Sequence, residues 1–189
     1  MSLTITFELG DSDIEHFLSI AEKAQASVRK SGIGAEQITT AARELFAQTD
    51  DKSLPEFIGS RLRRLETLAN MVEDAEWKLP DEDLTRVLNA MAYFADPEDL
   101  IPDRVPGLGF LDDAIMVELV VVDLDGEIAA YEEFCAFRTA EEKRRVNQGQ
   151  DTHVGREDWL ADKRAVLHNR MRKLRRERKQ SPIRGIKLW

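Results

Sequence analysis

The stretch that decides the fold covers residues 97–113 and reads Pro97-Glu98-Asp99-Leu100-Ile101-Pro102-Asp103-Arg104-Val105-Pro106-Gly107-Leu108-Gly109-Phe110-Leu111-Asp112-Asp113. It holds three of the six prolines of the chain. Because each proline fixes its own φ and pushes the preceding residue toward an extended backbone, a stiff connection is predicted here. Gly107 and Gly109 permit backbone conformations that other residues resist. Asp112 or Asp113 is predicted to cap the helix that follows, by accepting hydrogen bonds from its first amides.

This segment resembles the signature of the YkvA-like family, a widespread bacterial family of domains of unknown function. The resemblance covers about residues 84–124, and the residues that carry it are Pro97, Asp99, Leu100, Ile101, Pro102, Asp103, Pro106, Gly107, Gly109, Asp112 and Asp113. It implies a helical hairpin joined by the proline-rich turn, and it brings no established activity. Glu98, Arg104 and Glu118 stand where family members are often apolar, which argues against membrane association of this hairpin.

On both sides of the turn, apolar residues recur at helical spacing, so the predicted fold class is an all-α, compact helical bundle. Helices are expected over about residues 12–31, 35–47, 55–72, 80–96, 110–124, 127–146 and 157–179. A turn is expected at 48–53 and a helix break near Gly126. The run Val120-Val121-Val122 also has strand propensity, so periodicity alone leaves 110–124 open between helix and strand. The alternation over residues 3–9 predicts a short N-terminal strand.

The length of 189 residues allows one core of ordinary size with an appended segment. We divide the chain into an N-terminal helical part (1–80), a YkvA-like helical core (81–146) and a basic C-terminal helix with its tail (147–189). The single cysteine, Cys135, cannot form an internal disulfide. The sequence shows neither a secretory signal nor an apolar run of about 18 residues. A cytoplasmic protein is therefore predicted, and a membrane-spanning one is not.

The net charge of −9 hides a strong asymmetry along the chain. Residues 1–140 carry 12 lysines and arginines against 29 aspartates and glutamates, a net charge of −17. Residues 141–189 carry 15 against 7, a net charge of +8. The two parts are expected to attract each other.

Clustered carboxylates around the turn offer two interpretations. Oxygen atoms from Asp99, Asp103, Asp112 and Asp113 could hold Mg²⁺ or Ca²⁺, or the carboxyl groups could form a general acid and base pair. Alternatively they cap helices and tie the turn to neighbouring amides or arginines. Because no recognised ligand spacing is present, we predict no metal, no cofactor and no catalytic residue. The histidines His16, His153 and His168 are scattered along polar stretches and are predicted to be ordinary surface residues.

The C-terminal helix is the second distinctive feature. Its basic residues are Lys163, Arg164, Arg170, Arg172, Lys173, Arg175, Arg176, Arg178 and Lys179. Its apolar residues recur mostly at spacings of three and four: Trp159, Leu160, Val166, Leu167, Met171 and Leu174. Such a helix presents a packing stripe and a broad cationic face. The cationic face could bind phosphates, an acidic protein or an anionic membrane surface, or it could rest on the acidic body of its own chain.

These observations favour a non-enzymatic interaction or adaptor protein with a protein partner, in which the YkvA-like core presents the basic helix. The first alternative is a nucleic-acid-binding protein or accessory subunit that uses residues 163–179. The second alternative is a metal-dependent enzyme that uses the aspartates of 99–113. The oligomeric state and the biological process are not encoded in any pattern that we recognise.

Overall fold

The structure is a computed structural model, and it describes residues 8–50, 55–96 and 110–180, with the side chains of 48–50 and 178–180 left aside. All regular structure in these ranges is helical, which confirms the predicted all-α bundle. A short 3₁₀ turn (Ala92–Ala95) follows the fourth helix. The α-helices of the described ranges are α1 (Asp11–Ser31), α2 (Ala35–Asp50), α3 (Glu56–Glu73), α4 (Asp81–Met91), α5 (Leu111–Asp123), α6 (Asp125–Asn147) and α7 (Arg156–Gln180).

Helix boundaries follow local signals that are visible in the chain. The Asp13 carboxylate accepts a hydrogen bond from the Gly10 amide at 2.8 Å and so caps the first turn of α1. Gly32 ends the same helix with φ of 68°, a left-handed conformation that a residue without Cβ adopts at no steric cost. Pro55 and Pro80 immediately precede α3 and α4, where the missing amide hydrogen leaves no helical bond unmade.

Two predicted boundaries were wrong. Helix α2 continues to Asp50, so residues 48–50 are helical rather than part of a turn. Neither glycine nor proline occurs between residues 35 and 54, and nothing in that stretch forces the helix to stop. The break near Gly126 lies instead at the buried Leu124, between α5 and α6, and Gly126 belongs to the first turn of α6.

The segment 110–124, left open between helix and strand, is the most buried helix of the bundle. Ala114, Val117 and Val120 are fully enclosed on α5. A helix that is apolar on most sides is expected at the centre of a core, where its β-branched residues pack against several neighbours. Tertiary packing therefore outweighs the strand propensity of the three consecutive valines.

One connected apolar core joins residues from α1 to α7. On α3 its members include Leu62, Leu65 and Leu68, all without exposed surface. Trp77, in the loop between α3 and α4, is also fully buried, and its ring centroid lies 5.0 Å from that of Phe134 on α6. A smaller cluster packs α1 against the 3₁₀ turn and α5. The predicted division into 1–80, 81–146 and 147–189 stays a prediction; this core contains residues from all three parts.

Several predicted features lie outside the described residues. They are residues 3–7 of the predicted N-terminal strand, the tail 181–189, and the turn residues Pro97, Asp99, Pro102, Asp103, Pro106, Gly107 and Gly109. In the described part of the chain, no helix is both long and apolar enough to cross a membrane.

Candidate functional site

Helix α7 is attached to the bundle by a narrow apolar stripe. Leu160, Leu167 and Met171 are buried, as the spacing of three and four predicts. Val166 and Leu174, which were included in the same stripe, are exposed. Helix α7 therefore packs mainly against α6 and the loop that carries Trp77, and only one side of it is covered.

Cations next to this stripe form ion pairs with the body. Glu133 on α6 accepts hydrogen bonds from Lys163 at 2.6 Å and from Arg170 at 2.5 Å. These two hydrogen bonds hold the pKa of Glu133 below its usual range. Arg164 donates to the backbone carbonyl of Glu76 at 2.6 Å and to Glu157, also at 2.6 Å. We call Lys163, Arg164, Arg170 and Arg175 the inner face of α7.

Arg175 belongs to a buried ion-pair network that joins four helices. Its guanidinium contacts Asp83 of α4 and donates to Glu127 of α6 at 2.8 Å. Arg86 of α4 contacts the same Glu127 and also Asp123 at the end of α5. Asp83 and Glu127 are only 2% and 4% exposed. Carboxylates at this depth are stable as anions only when cations share the site, so Arg175 fixes the position of the C-terminal half of α7.

The opposite side of α7 is exposed and cationic. Arg172, Lys173 and Arg176 lie there, and we call them the outer face. Arg172 donates only to the His168 carbonyl at 3.3 Å and to the Asn169 side chain at 3.2 Å. Lys173 is 77% exposed and reaches Glu177 of its own helix at 3.8 Å. Within the described ranges, no carboxylate of the body pairs with any of these three cations.

The nine predicted basic residues thus divide into distinct groups. Four are held by carboxylates or carbonyls of the chain itself, and three face outward. Arg178 and Lys179 lie in the last turns of α7, and their side chains are outside the described atoms. The inner face therefore rests on the body of its own chain, whereas the outer face has no such contact within the described residues.

Sequence reasoning missed the cation that begins this helix. Arg156 donates to Glu76 and pairs with Glu142 at 2.6 Å, and these contacts raise its pKa. Glu76 also accepts from Arg138 of α6 at 2.9 Å. A tryptophan within the polar run around Glu76 was the available signal that this loop packs against the core through Trp77.

Two aspartates of the family motif, Asp112 and Asp113, are described by the structure, and both belong to α5. Phe110, rather than either aspartate, occupies the N-cap position of α5. Both lie in the first turn, where a negative charge still favours the helix N-terminus. Asp112 is buried and accepts a hydrogen bond from the Tyr93 hydroxyl at 3.2 Å. It thereby connects the 3₁₀ turn to α5.

The remaining candidates are metal-binding clusters and the three histidines. The described residues contain no group of three or more histidine, cysteine or carboxylate side chains that could hold a metal ion. His16 and His153 are exposed, as predicted. His168 is not: it is 7% exposed, with its ring centroid 4.3 Å from that of Trp77.

A family comparison agrees with the motif. Residues 84–119 match the family described as "Protein of unknown function (DUF1232)". This match confirms the predicted relationship, since it covers most of α4, the proline-rich turn and most of α5. Comparison with curated proteins found no significant match, and neither did comparison with solved structures. The matched residues form most of α4 and of the apolar α5. Helix α7 lies outside the match.

Proposed function

We propose that this chain is a non-enzymatic interaction protein, in which the helical bundle around the DUF1232 segment presents the outer face of α7 to an acidic protein partner. The observation that carries the proposal is the division of α7 into a docked inner face and an exposed outer face. The inner face already satisfies its charge within the chain. The outer face, Arg172, Lys173 and Arg176, is left for an external anion.

Docking by the inner face supports recognition because it orders the outer face beforehand. Arg175 is held by two buried carboxylates, and Leu167 and Met171 are enclosed beside it. A partner that binds an ordered helix loses less conformational entropy than one that must first order a disordered arm. Arg172 and Arg176 are one turn apart on this helix, which suits two carboxylates on a partner surface.

The charge of the body favours a protein over a nucleic acid as partner. A polyanion that extends beyond the three outer cations would meet a body of −17 over residues 1–140. An acidic patch on a protein can pair with the three outer cations without bringing further negative charge close to the acidic body. The described outer positions also lack aromatic side chains on which bases could stack.

In-cell photo-crosslinking tests the proposal. A photoreactive amino acid in place of the exposed Asn169 should yield discrete protein adducts in the cell of origin. The triple variant R172E/K173E/R176E should lose these adducts. The matched variant K23E/K30E/K143E, with the same charge change at exposed positions on α1 and α6, should keep them. Absence of protein adducts at position 169, or equal adducts in both triple variants, would contradict the proposal.

Measured binding to duplex DNA and to single-stranded RNA distinguishes the nucleic-acid alternative from the proposed protein partner. Three phosphate contacts would give a log–log salt dependence with a slope of about −3 for duplex DNA. Specific, salt-dependent binding that is lost in R172E/K173E/R176E would favour nucleic acid as the ligand of the outer face. Under our proposal both triple variants and the unmodified chain bind nucleic acid equally weakly.

A further inference from the structure

His168 lies in the interface that holds α7 to the body. Its ring packs edge-on against the fully buried Trp77, between Leu167 and Met171 of the apolar stripe. Its Nε2 atom is buried and has no hydrogen-bond partner among the described residues. A neutral imidazole is tolerated in this apolar environment, whereas an imidazolium would place a charge there without an acceptor for its second N–H.

The charged groups around His168 reinforce this preference. Arg164 and Arg172 of its own helix disfavour a further positive charge. Asp83 of α4 attracts a proton to the ring, but this carboxylate is already paired with Arg175. On α6, the carboxylates that pair with α7 are Glu127, Glu133 and Glu142, and their cations are Arg175, Lys163, Arg170 and Arg156. Burial is the largest effect, and together these groups lower the pKa of His168 below its usual value of 6.5.

We propose that protonation of His168 releases α7 from the body, so that this helix is a pH-sensitive latch. Release breaks the contacts of the inner face and adds Lys163, Arg164, Arg170 and Arg175 to the three cations of the outer face. The cationic surface that a partner meets is therefore larger in mildly acidic solution. This inference goes beyond the proposed function, because the latch acts in the isolated chain.

The direction of the effect follows from proton linkage. A histidine whose pKa is lower in the docked state than in the released state binds more protons when released. Docking is therefore fully favourable above the usual pKa of 6.5 and weakens as the pH falls below it. Two of the carboxylates that hold α7, Glu76 and Glu133, have pKa values lowered from 4.5, so they stay ionised in this window and do not produce the same response.

Hydrogen exchange on the full chain tests the latch. Between pH 7.5 and 5.5, the protection factors of α7, corrected for the intrinsic exchange rate, should fall by at most about tenfold, the limit set by a released histidine with pKa 6.5 and a docked histidine that stays neutral. Protection of α3 should change little. H168Q should abolish the response, and H153Q, which alters an exposed histidine, should keep it.

A second measurement follows the titration of His168 in the unmodified chain. The imidazole C–H signal that is lost in H168Q or in the space-filling H168L belongs to His168, and in the unmodified chain it should titrate below pH 6.5. Titration of His168 at or above 6.5, or a tenfold pH response that persists in H168Q or H168L, would overturn the latch. Crosslinking at Asn169 can fail without affecting either readout, so the two proposals are tested separately.

Discussion

The interface between α3 and α5 and the interface between α6 and α7 are held by different forces. On α3, Leu62, Leu65 and Leu68 are fully buried in the same apolar core as Val117 and Val120 of α5, and Arg61–Glu118 is a partly exposed ion pair between the two helices. Helix α7 instead combines a narrow apolar stripe with ion pairs at Glu133, Glu76 and the Arg175 network. Apolar burial responds little to pH or salt, whereas ion pairs and a buried histidine respond to both. From this difference we predict that changes of pH or salt loosen α7 before the rest of the bundle.

The largest expected effect lies in the apolar interface. L65A removes a fully buried side chain from the centre of the core and should lower the free energy of unfolding by about 4 kcal/mol. The loss should appear in all helices at once, because the cavity affects the shared core. Urea unfolding followed by circular dichroism measures it. A loss below about 1 kcal/mol would show that this interface is not the centre of stability.

The second largest effect is expected at α7, when the buried ion pairs of Arg175 are removed. R175M leaves Asp83 and Glu127 buried with only Arg86 as a cation nearby, and should cost about 3 kcal/mol in the opening free energy of α7. Hydrogen exchange resolved by helix measures where the loss occurs. R172M on the outer face is the matched control and should change α7 protection by less than about 0.5 kcal/mol. Equal protection of α7 in the two variants would contradict the network's role.

Below about pH 5, the stabilities of α7 and α3 should respond differently to acid. The pKa values of Glu76 and Glu133 are lowered, chiefly by their hydrogen bonds to Arg156 and Lys163. Their contribution to docking is therefore complete above about pH 4.5 and is lost as the pH falls below it. In H168Q, the protection of α7 should stay level to about pH 5 and then fall before that of α3. Simultaneous loss in both helices would show that they open as one unit.

The smallest expected effect concerns the partly exposed ion pairs. E133Q removes the acceptor shared by Lys163 and Arg170 and should cost at most about 1 kcal/mol of α7 protection. In 1 M NaCl, the difference between E133Q and the unmodified chain should shrink, because salt screens exposed charges. Hydrogen exchange at low and high salt measures the loss of α7 protection in E133Q and its reduction by salt. An E133Q effect as large as that of R175M would contradict the distinction between exposed and buried pairs.

The sequence predicted the helices of this bundle well, because each has an apolar stripe of its own. Helices α3, α4 and α7 begin at or within one residue of the expected position. The family motif is recovered in the match to residues 84–119, although its turn lies outside the described residues. Local signals were sufficient wherever periodicity, proline or glycine determines the structure.

The division of α7 into two faces could not be predicted in the same way. Asp83, the partner of Arg175, is 92 residues away along the chain, and Glu76 is 88 residues from Arg164. No local pattern specifies which of nine cations will meet such distant acceptors. His168 was assigned to the surface because it lies in a largely polar stretch of the chain. Its spacing of three residues from Met171 placed it beside the buried stripe, and this was the signal that it packs inward.

Competitive lysine labelling tests most directly whether α7 is held by one face and available on the other. Lys163 and Lys173 lie on the same helix, with side chains 25% and 77% exposed, and only Lys163 is bonded to the body, through Glu133. With a limiting amine-reactive ester at pH 7.5, we predict that Lys173 reacts several-fold faster than Lys163 and at a rate close to that of the exposed Lys143. Equal rates at Lys163 and Lys173 would contradict the account.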